Sequence, residues 1–263
     1  MEPTSPPGEH IVVEREGAIV TLTFNRPEAR NAMTWDMYRR LGEVCDEVDR
    51  DDAVRVLVLR GAGGKAFVSG TDIRQFLDFD SGRTGVEYEA DIDRYVGRLD
   101  RLRKPAIALV EGYAVGAGLA IAAACDLRIC TPDAQFGLPI ARTLGNCLSM
   151  AGYARLAAIL GEARTLDVVF TARMVGAEEA RASGLATEVV AEDEIEAHVL
   201  GLAERLATHA PITMRVTKEA LRRLREANVP DGADLVEEAY GSDDFRQGVA
   251  AFLEKRRHTW TGR

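Results

Sequence analysis

The chain has 263 residues, enough for one large α/β domain or for one domain with a small appendage. Its formal net charge of −9 argues against nucleic acid as the main partner, since a phosphate backbone calls for a clustered Lys/Arg face. With 46% hydrophobic and 29% charged residues, the composition is ordinary for a soluble globular protein.

The start, Met1 to His10, carries three prolines and no apolar run, so it is predicted to be disordered and reads as neither signal peptide nor membrane segment. Ile11–Val13 and Ala18–Phe24 are β-branched runs on either side of Glu14-Arg15-Glu16-Gly17, which predicts a hairpin. Thr34 is placed to cap a helix in which Met37, Leu41, Val44 and Val48 recur at helical spacing. A strand at Val54–Leu59 leads to Gly61-Ala62-Gly63-Gly64, and the loop Ser69-Gly70-Thr71-Asp72 opens a short helix at Ile73. Residues 82–101 predict an acidic helix with Tyr88, Ile92, Tyr95 and Leu99 on one stripe.

Pro105–Val110 is a further strand, Gly112 to Gly118 a loop opening a helix at Leu119–Ala124, and Leu127–Cys130 a short strand. The longest uncharged apolar stretch, Tyr113–Cys125, falls well short of the ~20 residues a membrane span needs, so a cytoplasmic address is expected. From Leu148 onward helices are predicted at Leu148–Leu160, Glu162–Phe170, Ala177–Ala182, Glu192–Thr208, Pro211–Glu226 and about Asp244 to Arg256. That order suggests a layered β/α core followed by a helical appendage, and the apolar stripe Ile195, Val199, Leu202 and Leu206, more than a small appendage can bury, is expected to drive self-association.

Cys45, Cys125, Cys130 and Cys147 form no CxxC pair and the histidines stand singly, which removes the usual zinc spacing; no metal is expected. Gly116-Ala117-Gly118 between strand and helix invites a dinucleotide reading, which fails because Ile121 holds the third glycine position and no acidic residue closes the unit. GxSxG, GxxxxGK[ST] and HExxH are absent too. What remains is two strand–glycine loop–helix junctions, at Ser69–Asp72 and Gly116–Gly118. Each offers backbone N–H groups at a helix start, where partial positive charge collects. Two converging on one oxygen would make an oxyanion hole; singly, each is also readable as a tight turn with glycine at positive φ.

Several motifs in register resemble the crotonase (enoyl-CoA hydratase/isomerase) superfamily. Asn25-Arg26-Pro27-Glu28-Ala29-Arg30-Asn31-Ala32 resembles its NRPxxxNA signature, and Lys65 to Ile73 (KAFVSGTDI) its (K)AFxAGxD(I/L) loop. Lys104-Pro105 through Glu111 to Gly118 resembles KPxIAxVxGxAxGGG, Cys125 to Arg128 the CD(I/L)R motif, and Ala134 to Pro139 the AxFGxPE motif except at its last residue. Ala180 to Leu185 and Ala251 to Arg256 resemble AxxxGLV and the terminal AFxEKR. The likeness covers roughly residues 11 to 263.

The resemblance implies an α/β fold, the ββα superhelix or spiral. It implies a CoA-thioester-binding core at 11–195 and a helical region at 196–263 that oligomerises the chain and covers the CoA. It also implies an acyl-CoA thioester as substrate, coenzyme A being part of that substrate and no cofactor permanently bound, and self-association as a trimer or dimer of trimers. The thioester carbonyl would sit between the N–H of Thr71 and the N–H of Ala117. Arg74 and Lys255 would meet CoA phosphates and Phe252 would pack on the nucleotide end. The carbonyls near Ala66 and Ser69 and the Ala29 loop would frame the adenine, with Gly70, Asp72, Ile73 and Gly116 lining the same site.

The pattern breaks at the acid–base pair. The family hydratases' first glutamate position is Ala120 here, and the second is Ile140, or Ala141 in an alternative alignment. Neither alanine nor isoleucine can move a proton, so efficient hydration is not expected. A substitute could come from Arg142, Asn146, Cys147 or Ser149, or from Glu87, Glu89, Asp91 or Tyr95 on the acidic helix. The loop is ranked first because it occupies the segment that normally carries the second glutamate, the helix acids reading as a solvated face. Two readings stand: an acyl-CoA enzyme of the lyase or isomerase class, with decarboxylation or hydrolysis open, and a CoA-ester-binding protein with little activity. A Clp-type serine peptidase is set aside, since no His lies near a plausible nucleophilic serine.

Overall fold

Alternating β-branched runs and glycine loops fold the first two thirds into a rising spiral. The computed structural model describes residues 10–227 and 229–262, so the predicted disordered start lies, apart from His10, outside the described residues. Strands β1 (Ile11–Glu16) and β2 (Ile19–Phe24) pair antiparallel with Ile11 opposite Phe24. Glu14 to Glu16 stay in β1, so the turn is shorter than predicted. Helix α1 (Trp35–Arg50) is capped as expected, Thr34 Oγ1 accepting from Met37 N at 3.3 Å. Then come β3 (Val56–Gly61), β4 (Ala66–Val68), a 3-10 turn at Ile73–Phe76, α2 (Gly82–Asp100), β5 (Ala106–Val110), β6 (Tyr113–Val115), α3 (Ala117–Ala124), β7 (Leu127–Cys130), β8 (Gln135–Gly137) and α4 (Ile140–Thr143). The rest is α5 (Met150–Leu160), α6 (Glu162–Thr171), β9 (Met174–Gly176), α7 (Ala177–Ala182), β10 (Glu188–Val189), α8 (Ile195–Thr208), α9 (Pro211–Glu226), α10 (Ala233–Gly241) and α11 (Asp243–Leu253).

Two sheets result, in strand order β1-β2-β3-β5-β7-β10 and β4-β6-β8-β9. The successive pairs β3–β4, β5–β6 and β7–β8 each put one strand into the large sheet and the next into the small one, parallel to the pair before. This is the expected ββα spiral. The short strands of the small sheet escaped prediction because two or three residues carry no readable period. Helix α10 escaped because it follows Pro230-Asp231-Gly232 and buries only Val236 and Tyr240 as large side chains. Helix α5 starts two residues late since Ser149 takes the cap, its Oγ accepting from Gly152 N at 3.0 Å.

Both faces of the large sheet are covered, which is why its strands read as continuous apolar runs. Leu22, Phe24, Leu57 and Leu59 pack with Met37, Leu41 and Val44 of α1 on one face. On the other, Ile19, Val56, Val58, Ile107 and Leu109 lie under Ile195, Val199 and Leu202 of α8. The α8 stripe, which suggests self-association when read from sequence, is therefore spent inside the chain. Helix α9 carries four exposed apolar side chains, Ile212, Val216, Leu221 and Leu224.

One glycine sets how closely sheet and helix approach. A Cβ on Gly118 in α3 would stand 2.0 Å from the carbonyl oxygen of Val68 in β4, a contact no side chain can make. Gly118→Ala should therefore lower stability by more than about 2 kcal/mol through overpacking. Gly201→Ala, on the exposed side of α8 with open space around the added Cβ, should raise it by about 0.5–1 kcal/mol. Thermal melts of the two variants against wild type check both signs.

Candidate functional site

The two glycine loops stand face to face. Gly70 takes φ +125° and Gly116 φ +56°, and a Cβ on Gly116 would lie 3.6 Å from the Gly70 Cα. In the first loop Met33 N donates to Gly70 O at 2.8 Å and Asp72 N to Met33 O at 2.9 Å, which leaves the intervening Thr71 N–H outside this pairing. In the second, Gly116 N donates to Gly137 O at 2.9 Å and Ala117 opens α3, so its N–H has no acceptor within the helix. Thr71 and Ala117 both line one cavity of about 380 Å³.

The asparagine–arginine motif upstream holds the first loop in place. Asn31, fully buried, donates from Nδ2 to Ala62 O at 3.0 Å and Ala66 O at 2.7 Å, and its Oδ1 accepts from Arg26 N at 2.9 Å. Arg26 donates to Ala32 O at 2.6 Å and to the Asp72 carboxylate at 3.2 Å. Arg74 binds the same carboxylate at 2.7 Å, and these hydrogen bonds, that from Arg74 foremost, hold Asp72 down at about 2. The Thr71 hydroxyl sits between two buried phenols, 2.7 Å from Tyr38 OH and 2.9 Å from Tyr88 OH. Burial pushes both phenols well above their ordinary value.

The cavity walls are mostly apolar: Phe76, Ile92, Leu138, Leu144 and Leu148, with Ala120 and Ile140, the two positions at which the resemblance leads one to expect glutamates. A buried carboxylate interrupts them. Glu89 of α2 is 5% exposed; its Oε1 accepts from Tyr240 OH at 2.6 Å and its Oε2 from Ser149 N at 2.9 Å. Burial pushes it up to about 7, against the lowering effect of both hydrogen bonds. The expected solvated face holds for Glu87 and fails for Glu89. The signal was in the sequence: Glu89 lies three residues before Ile92 and seven before Val96, on the buried stripe itself. Tyr240 was missed together with α10. It reaches Glu89 because α10 packs on the bare backbone of α2, where a Cβ on Gly85 would stand 2.2 Å from the Tyr240 side chain.

Of the other expected residues, Ala29, Ser69, Gly70, Asp72, Ile73, Arg74, Gly116, Asn146 and Phe252 do line the cavity. Asn146 donates to Tyr240 OH at 3.2 Å, and its buried Oδ1 has no protein partner. The remaining ones lie elsewhere. Ala141 and Arg142 are exposed, turned outward by the short helix α4. Cys147 faces Leu235 O at 3.9 Å, and burial pushes its thiol up to about 12, so it is no thiolate at neutral pH. The Ser149 hydroxyl is used by the α5 cap and by Asp93 at 2.8 Å. Tyr95 packs over Gly42 of α1 beneath the Arg94 guanidinium. Ala66 is buried under Asn31, and Lys255 is exposed just past the end of α11. Among the described residues no cluster of His, Cys, Asp or Glu could hold a metal, and no helix is long and apolar enough to cross a membrane.

The spiral with its paired glycine loops is the crotonase fold, and comparison with known proteins agrees. The model of the enoyl-CoA hydratase/isomerase family matches residues 14–263. A short-chain-enoyl-CoA hydratase of Clostridium acetobutylicum is 32% identical over 94% of this chain and 96% of that protein. A probable enoyl-CoA hydratase of Rhizobium meliloti is 36% identical over 95% and 96%. A solved methylmalonyl-CoA decarboxylase in complex with 2-nitronate-propionyl-CoA superposes with a TM-score of 0.88 at 26% identity, covering 97% of this chain and 99% of that one. The chain belongs to the enoyl-CoA hydratase/isomerase family and is an enzyme of the crotonase class.

Burying Glu89 ties stability to pH. Its folded-state value of about 7 lies above the ordinary 4.5, so between those values the native state holds more protons than the unfolded one. Stability should then be greatest below about pH 4.5 for this group, fall as pH rises, and be lower by about 3 kcal/mol above pH 7. Glu89→Gln, which keeps the shape and has no charge to bury, should flatten that slope in urea titrations run from pH 5 to 8.

Proposed function

We propose that the chain binds an acyl-CoA thioester with its carbonyl oxygen between the Thr71 and Ala117 N–H groups, and stabilises the enolate formed when negative charge moves onto that oxygen. The observation that carries this reading is the pair of N–H groups, left outside the fold's own pairing by two separate loops, on two residues that line one largely apolar cavity. Fixed donors need no reorganisation when charge develops, and apolar walls strengthen their pull; losing one such donor typically costs ~10²–10³ in rate. Phe252, 47% exposed at the cavity edge, would pack on the nucleotide end of the CoA. Arg74 would meet a phosphate only in competition with Asp72, so Lys255 is the freer of the two expected cations.

Relatives of this chain are named as hydratases, yet Ala120 and Ile140 present only hydrocarbon where hydration needs an acid and a base. Efficient water addition is therefore not part of the proposed activity. Self-association as a trimer is, supported by the exposed apolar face of α9. Light scattering should give a multiple of three times the chain mass of 28.7 kDa, and a clean monomer at that mass would refute it.

A panel of acyl-CoA thioesters assayed for turnover tests the main reading. Ala117→Pro, which deletes a donor N–H, should abolish turnover in protein that circular dichroism shows folded. Thr71→Ala, which keeps its N–H, should retain most of the rate while losing about 1–3 kcal/mol of stability, because the hydroxyls of Tyr38 and Tyr88 lose their shared partner. Crotonyl-CoA in the same panel should be hydrated slowly if at all. Turnover unaffected by Ala117→Pro sinks the proposal.

A further inference from the structure

Resting on that acyl-CoA reading, we propose that Glu89 is the group that moves the substrate proton and that Tyr240 positions it. Among the residues that line the cavity the other carboxylate is Asp72, and it is committed to Arg26 and Arg74 in ion pairs at 3.2 and 2.7 Å. Glu89 is held at two points by neutral donors, Tyr240 OH and Ser149 N, which fix its plane without saturating its oxygens, since each keeps a free lone pair.

The step balances without water or oxidant. The carboxylate of Glu89 takes a proton from the carbon beside the thioester carbonyl: a C–H bond breaks, an O–H bond forms, and the electron pair delocalises onto the oxygen held by the two N–H groups. The O–H of Glu89 then returns its proton to the same carbon, or to the γ-carbon of a β,γ-unsaturated acyl group, which moves the double bond into conjugation. One carboxyl group suffices for either outcome. Water addition needs a second acid–base group, and the cavity's remaining titratable residues, Asp72, Arg74 and Tyr88, are ion-paired or, for the phenol, pushed far from neutrality by burial. The substrate class is thus an acyl-CoA thioester with an abstractable α-proton.

A group that takes and returns a proton works best when both forms are populated at the working pH, and burial sets Glu89 near that condition. The titratable groups facing it are Asp93 and Tyr88 from α2, Tyr38 from α1, Tyr240 from α10, Cys147 from the segment before α5, and Tyr153 from α5. None is a cation; Arg155 is set against Asp93 and Asp100 instead.

A purely architectural glutamate, tying α2 to α10 and to the α5 cap, would show the same hydrogen bonds, and Glu89→Gln separates the two roles: an amide can still accept from Ser149 N and, with the Tyr240 hydroxyl turned to accept, donate to it, but cannot take a proton. The experiment measures deuterium incorporation into butanoyl-CoA in D₂O by mass spectrometry, with butanoyl-CoA binding followed by calorimetry. Wild type should exchange with a rate that rises with pH to a plateau above about 7. Glu89→Gln should bind within about threefold of wild type and lose ~10²–10⁴ of the exchange rate. Tyr240→Phe, which removes a bond that favours the charged form, should shift the pH midpoint upward while binding holds. Wild-type exchange matched by Glu89→Gln overturns the assignment, as does a wild type that binds without exchanging. A wild type that fails to bind removes the acyl-CoA reading itself, and this inference with it.

Discussion

Two backbones in van der Waals contact define the region around the proposed site. Where α3 crosses β4, residue 118 can have no side chain at all, and that contact brings the start of α3 level with the loop after β4. Remove the contact and Thr71 and Ala117 no longer share a cavity, whatever their own side chains. The donors come from main chain, so the residues that matter for placing them are glycines and the polar residues that pin the loops: Asn31 bridging Ala62 and Ala66, Arg26 held between Ala32 and Asp72. The family's asparagine–arginine motif is thus scaffolding here. Its buried charges stay in place because each is paired, and cutting Asp72 away from Arg26 would leave a guanidinium stranded in the interior.

The cavity combines opposite demands. Apolar walls would favour the proposed attraction between the N–H donors and an oxyanion, yet the same walls penalise a charged Glu89. The fold compromises by giving that carboxylate two donors and no cation, so that it is neither locked charged, as Asp72 is, nor permanently neutral. The aromatic cluster of Phe76, Phe79, Tyr88, Tyr240 and Phe245, with neighbouring centroids 4.8–6.5 Å apart, makes this compromise rigid. Tyr88 and Tyr240 each carry a hydroxyl from that cluster to the site, one toward Thr71 and the other toward Glu89.

How much of this could be read beforehand depends on what kind of atom each feature uses. The glycine loops were legible because main-chain geometry restricts the residue type: a bare Cα at Gly70, Gly116 and Gly118 leaves a mark in the sequence. The spiral followed from motif order, while its small sheet did not, since strands of three residues have no period to detect. Glu89 was visible as a letter and misjudged as an environment. A glutamate on an amphipathic helix is ordinarily solvated, and only the packing of α10 onto Gly82 and Gly85 takes this one out of water. The α8 stripe was misjudged the other way, because sequence records that a face is apolar and not which surface covers it.

The hydrogen bond between Tyr240 and Glu89 joins residues 151 positions apart along the chain. Closing so long a span has an entropic cost that grows with the logarithm of its length. During synthesis the spiral can coil, turn by turn, while its pocket still lacks a wall. A nascent chain carrying the loops of Thr71 and Ala117 would therefore have Glu89 open to water, as an ordinary surface carboxylate, until α10 had left the ribosome. The proposed acid–base group would acquire its environment only as the tertiary structure is completed.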